Sequence, residues 1–89
     1  MPGCEIIARG RVQGVGFRWF VQNCANRYGV KGYVQNRPDG SVLIIAVGSQ
    51  TRLEPFIAEV RQGNRYARVT ELTVTDLAQY TEYEDFVIA

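Results

Sequence analysis

The stretch CEIIARGRVQGVGFRWFVQNCANRY, from Cys4 to Tyr28, changes its hydrophobic period midway. Cys4, Ile6 and Ala8 alternate with Glu5, Ile7 and Arg9, the two-residue repeat of a strand with one face in a core. Gly10, Gly14 and Gly16 then break the repeat. From Phe17 onward Phe17, Phe20, Val21, Cys24, Ala25 and Tyr28 fall at three- and four-residue steps, which predicts a helix with one buried stripe. Gly29 is well placed to end it. A strand that runs through a glycine turn straight into a helix is the first half of a β-α-β unit, and the rest of the chain is read outward from it.

Tyr33 and Val34 predict a short second strand, and the β-branched run Val42 to Val47 a third. Between them Arg37-Pro38-Asp39-Gly40 is a turn: proline presets one backbone angle and glycine accepts a positive one. The two strands are therefore read as an antiparallel hairpin. A second helix begins between Ser49 and Thr51, with a buried stripe of Leu53, Phe56, Ile57 and Val60. A Thr51/Glu54 capping box is the expected start, because it keeps Pro55 in the first turn, where a missing amide costs little. Gly63 ends this helix. Val69, Leu72 and Val74 mark a fourth strand through Asp76, and the odd step between Val69 and Leu72 predicts a bulge or a local twist. Residues 77–85 are polar and irregular, and Phe86 to Ile88 read as a short edge strand. The order β-α-β-β-α-β with a small final strand predicts an α+β fold, the ferredoxin-like split β-α-β sandwich, with two helices on one face of a mostly antiparallel sheet.

The 89 residues fit one domain over residues 1–89, and a 46% hydrophobic content can supply one modest core. Ten basic residues against nine acidic give a net charge of +1, so bulk electrostatics recruits neither nucleic acid nor an anionic membrane. The apolar runs are too short to cross a bilayer and the N-terminus has no secretory pattern, so the expected location is cytoplasmic. There is no histidine, and Cys4 and Cys24 match no zinc or CxxC spacing. No metal and no cofactor are expected, and histidine-based nucleophilic chemistry is a poor candidate.

The turn between the first strand and the first helix is the chemical centre. Backbone amides left free at a helix N-terminus, together with the positive end of the helix, favour a phosphate or a carboxylate. Gly14 and Gly16 let the turn curve inward, and Gly10 permits close approach at its base. Arg18 lies in the first helical turn, where the dipole disfavours a cation unless something negative sits beside it. A plain tight connection explains the same glycines equally well. The pattern lacks the Gly-Lys-Ser/Thr ending of a P-loop, and no acidic residue follows at the distance a dinucleotide fingerprint needs.

Gly10-Arg11-Val12-Gln13-Gly14-Val15-Gly16-Phe17-Arg18, then Gly32-Tyr33-Val34-Gln35-Asn36, then Pro38-Asp39-Gly40, resemble the acylphosphatase family. Gly63 with Ala67-Arg68-Val69 is similar to that family's entry into its fourth strand. The resemblance implies a ferredoxin-like fold and metal-independent hydrolysis of a carboxyl-phosphate bond. It puts the phosphate-cradling loop on Gln13, Gly14, Val15, Gly16, Phe17 and Arg18, the phosphate-binding arginine on Arg18 and the water-orienting asparagine on Asn36. The implied ligands are a small acyl phosphate and inorganic phosphate as product; apart from the resemblance, no nucleic-acid or membrane partner and a monomeric chain are expected. Two departures stand out: Asn64-Arg65-Tyr66 replaces a connection that is more often proline-rich, and Tyr33 stands where tryptophan is frequent. Both are expected to lie clear of the chemistry, bearing only on loop rigidity and acyl preference.

Acyl phosphate hydrolysis fits a chain without histidine. The leaving carboxylate has a conjugate acid of pKa about 4 and departs at neutral pH without a general acid. What remains is to neutralise the phosphoryl oxygens and to hold a water in line. An arginine fork supplies the first, helped by the amides from Val15 to Arg18. Asn36 can accept from water through its carbonyl and donate to phosphate through its amide, an orienting role without strong basicity.

Locally, an isolated arginine is most often a surface charge and an asparagine before Pro38 a turn residue. Cys24 reads as a core thiol, and Cys4 could face the same layer closely enough for a disulfide that a cytosolic setting disfavours. Asp39 and Glu54 read as turn and cap residues, and Tyr80 and Tyr83 as covers for sheet edges or loop filling. Two rivals share the fold: an RNA-binding sheet, which the third strand's lack of aromatics argues against, and an acylphosphatase-like domain of a larger carbamoyl-phosphate-using maturation protein. With a complete fold expected by Ala89, the chain is read as a free-standing enzyme.

Overall fold

The computed structural model describes residues 2–89. The elements are β1 (Gly3–Arg11), α1 (Phe17–Tyr28), β2 (Lys31–Asn36), β3 (Val42–Val47), α2 (Gln50–Gln62), β4 (Arg68–Asp76) and β5 (Phe86–Ile88). The five strands form one sheet in the order β4-β1-β3-β2-β5, antiparallel except for the β2–β5 pair. This is the predicted ferredoxin-like architecture, with β3 inserted between the two strands that α1 connects.

Register follows from the alternation. Cys4, Ile6 and Ala8 pair with Ala46, Ile44 and Val42, and those in turn pair with Gly32, Val34 and Asn36. Each row therefore turns its side chains to the same face, where α1 buries Phe17, Val21, Cys24 and Ala25 and α2 buries Leu53, Phe56 and Val60. Truncating either ring that closes this layer, Phe17 or Phe56, removes burial worth about 3–5 kcal/mol. On the open face the 77–85 segment crosses the sheet: Tyr80 lies over Gly3, and Tyr83 packs edge-on against Tyr33 with centroids 6.0 Å apart. The tyrosines cover the open face over the interior strands β1 and β2, not the sheet edges that one of the two sequence readings had them cover.

Two details differ from expectation. The first strand does not stop at Gly10 but runs on to Arg11, because the pairing with β4 shifts there: Arg9 faces Glu71 and Gly10 faces Val69. The extra residue, Thr70, is the bulge that the Val69–Leu72 step predicted. The close approach Gly10 allows is to this bulge, since a Cβ would sit 2.2 Å from the Arg68 carbonyl oxygen. The second difference is the start of α2. Ser49, not Thr51, is the N-cap, and its carbonyl accepts from Arg52 and Leu53. The Thr51/Glu54 box is not formed, and Pro55 sits in the second turn. The helix tolerates it because the carbonyl deprived of a donor belongs to Thr51, which is exposed to water.

Candidate functional site

The split topology makes β1 and β2 parallel to each other, so both end at the same edge of the sheet. Val42 of β3 pairs with Ala8 on one side and Asn36 on the other. Asn36 is in phase with buried Val34, so it lies on the helix-bearing face, two strand spacings or about 10 Å from Ala8. Immediately after β1 the chain rises through the 12–16 loop and enters α1 above this row.

Gly14 and Gly16 both have left-handed backbones, with φ of 74° and 77°, and Gly16 is the N-cap of α1. No side chain caps that end, and no acidic residue lies in its first turn. Among the described residues none of the amides from Gln13 to Trp19 donates to a backbone carbonyl. A run of unpartnered N–H groups that includes two left-handed glycines has the form of a concavity that can accept an anion. Gly14, Gly16, Phe17 and Arg18 line a cavity of about 170 Å³ here, bordered by exposed Trp19 and by Ile88 of the edge strand. Arg18 makes no ion pair among the described residues, so its charge is uncompensated beside the amides.

Gln13 and Val15 do different work from their glycine neighbours. The Gln13 Nε2 group donates to the carbonyls of Arg37 and Ser41, both at 2.8 Å, and so ties the loop to the β2–β3 turn that follows Asn36. The turn is itself braced by Asp39, whose Oδ1 accepts from the Ser41 amide at 2.9 Å and hydroxyl at 2.6 Å. These bonds, with Arg9 nearby, hold the Asp39 carboxyl down at about 2. A carboxylate whose folded value lies below the ordinary unfolded value of about 3.9 stabilises the fold above that value and stops doing so as pH falls through about 2. The difference in Tm between wild type and Asp39→Asn should therefore be full above about pH 5, shrink as pH falls and vanish only below about pH 2, as followed by circular dichroism. A difference that is constant over this range would show that the charge does not brace the turn.

The Val15 carbonyl accepts from Asn64 Nδ2 at 2.8 Å, across 49 residues of sequence. Asn64 lies in the α2–β4 connection, so this departure touches the 13–18 loop directly and bears on the loop rigidity with which the sequence associates it. Sequence reasoning also passed over Trp19 and Ile88. The signal for Asn64 was the departure itself, an amide in a connection where the resemblance leads one to expect proline. Nothing in the local pattern marks Ile88, which reaches the cavity only through parallel pairing of β5 with β2.

The cysteines stand apart from the loop. Both are free and buried. Burial, and for Cys24 also the hydrogen bond to Glu59, pushes Cys4 up to about 11 and Cys24 up to about 12, so neither offers a thiolate nucleophile near neutrality. Glu59 instead joins α2 to α1, accepting from Tyr28 at 2.6 Å and from Arg27. Among the described residues no group of three or more His, Cys, Asp or Glu side chains gathers where a metal could be held, and no helix is long and apolar enough to cross a membrane.

These features match known proteins along the whole chain. An acylphosphatase of Archaeoglobus fulgidus is 44% identical over 89 residues, which is 100% of this chain and 99% of that protein. The crystal structure of acylphosphatase from Bacillus subtilis superposes with a TM-score of 0.96 at 40% identity, covering 100% of this chain and 99% of that one. Full-length HypF in a phosphate- and nucleotide-bound form contains a similar unit, with a TM-score of 0.88 and 33% identity over 99% of this chain but 12% of HypF. The acylphosphatase family profile matches residues 4–88, and the chain belongs to that family.

Proposed function

We propose that this chain hydrolyses the carboxyl-phosphate bond of small acyl phosphates with Arg18 and the 13–18 loop holding the phosphoryl group and Asn36 orienting the attacking water. Family membership carries the reaction, and one observation supports the division of labour. Unpartnered amides and an uncompensated arginine line one cavity after β1, and Asn36, outside that lining, closes β2, which runs parallel to β1 and ends at the same edge of the sheet. The amides from Val15 to Arg18 and the Arg18 fork supply fixed donors for equatorial oxygens, which need no reorganisation as charge develops. The carboxylate leaves unassisted, and the proton of the attacking water passes to the phosphate itself. In this reading the enzyme works as a cytoplasmic monomer on a diffusible substrate, without metal, nucleic acid or membrane.

Steady-state hydrolysis by Asn36→Ala tests the water-orienting role. Turnover should fall at least ~10-fold, because positioning of the nucleophile matters in the transition state. A smaller fall removes Asn36 from the mechanism. A domain within a larger maturation protein is the second reading, favoured by the likeness to HypF. The near-complete coverage of the separate acylphosphatases weighs more heavily for the first.

A further inference from the structure

We infer that Asn64 is a positioning residue of the phosphate loop, fixing the Val15–Gly16 peptide so that its N–H faces the anion; this rests on the phosphate-holding role proposed above. The carbonyl of Val15 and the amide of Gly16 belong to one planar trans peptide and point in opposite directions. When Asn64 Nδ2 draws that carbonyl outward at 2.8 Å, it turns the Gly16 N–H the other way. Gly16 needs such a restraint. With no Cβ, it is stable on either side of φ = 0, and rotation of the preceding peptide through half a turn interchanges two common turn geometries. The flipped peptide would present a carbonyl oxygen where the phosphoryl group sits.

The other half of the Asn64 amide strengthens the case. Its Oδ1 is buried without a hydrogen-bond partner, a situation that costs about 1–3 kcal/mol. The orientation is fixed, since exchanging Oδ1 and Nδ2 would set oxygen against the Val15 carbonyl. A side chain selected for stability alone would not leave this acceptor stranded. Alanine would remove the penalty, and proline would stiffen the connection. Local rules broken in a folded chain tend to be broken at working sites, and this breach lies against the loop: a Cβ on Gly16 would sit 3.7 Å from Asn64 Nδ2.

Calorimetric titration with inorganic phosphate tests this on wild type, Arg18→Ala, Asn64→Ala and Asn64→Asp. Asp keeps the shape of asparagine but replaces the donor with a carboxylate. Both Asn64 variants should bind phosphate at least ~10-fold more weakly, the effect of one hydrogen bond to a charged group, with kcat/KM falling alongside. The Tm of Asn64→Ala should move by less than about 5 °C, because a hydrogen bond and an orphan acceptor are removed together. In amide NMR spectra the Gly16 resonance should shift on phosphate addition in wild type and be exchange-broadened in Asn64→Ala, a signature of the released peptide flip. Phosphate affinity within twofold of wild type in both Asn64 variants, with Arg18→Ala defective, overturns the positioning role while leaving the site intact. Undiminished binding by Arg18→Ala overturns the site itself, and this role with it.

Discussion

Arg18→Ala should release phosphate from acetyl phosphate at least ~10³-fold more slowly than wild type, a loss of about 4 kcal/mol of transition-state stabilisation. That figure follows from two charge-assisted hydrogen bonds from one planar fork, each worth about 1.5–3 kcal/mol. Arg18→Lys should recover little, remaining at least ~10²-fold down, since a single ammonium restores charge without the paired geometry. Stability should hardly change. Arg18 is half-buried, has no ion-pair partner among the described residues and sits at the helix end where a cation is disfavoured. Phosphate release and thermal unfolding measured on the same preparations separate the two effects. Activity within tenfold of wild type in Arg18→Ala would detach the reaction from this loop.

Much of this was legible because the relevant signals are local. The change of period at Phe17, the Pro38-Asp39-Gly40 turn and the stripe from Leu53 to Val60 each lie within a few residues, and each produced the element expected. The start of α2 differs for a physical reason: helix-start rules weigh the capping residue and proline position, whereas the residue whose carbonyl loses its donor, Thr51, is exposed, and solvent access lowers the penalty they anticipate. The candidate site divides in the same way. Its loop glycines and Arg18 are contiguous in sequence and were readable as an anion turn. Asn36 gained meaning only from the resemblance, since a turn residue before proline looks the same locally. The Gln13 and Asn64 contacts cross 24 to 28 and 49 residues respectively, and no periodicity encodes a side chain reaching a distant carbonyl.

The fold constrains the site most severely at Gly32, where alanine should cost at least about 4 kcal/mol and abolish soluble folded protein. Gly32 lies in β2, flanked by β3 and β5, with φ of 135°, a backbone region that side-chain-bearing residues scarcely enter. A Cβ there would stand 1.9 Å from the Ile45 carbonyl oxygen, and the obstacle is backbone on the neighbouring strand. Relief requires β2 to move away from β3, which breaks the rows that align Val34 over the core and Asn36 at the sheet end. Gly40 provides the comparison. Its φ of 90° is also unfavourable for alanine, yet nothing lies within 4 Å of its added Cβ, so only strain of about 1–3 kcal/mol applies. Urea unfolding should rank wild type above Gly40→Ala, with Gly32→Ala unfolded or nearly so before denaturant is added, since a domain of this kind has only about 5–15 kcal/mol in total. Should Gly32→Ala unfold within 1 kcal/mol of wild type, the close β2–β3 approach would not be what fixes Asn36 at the end of the sheet.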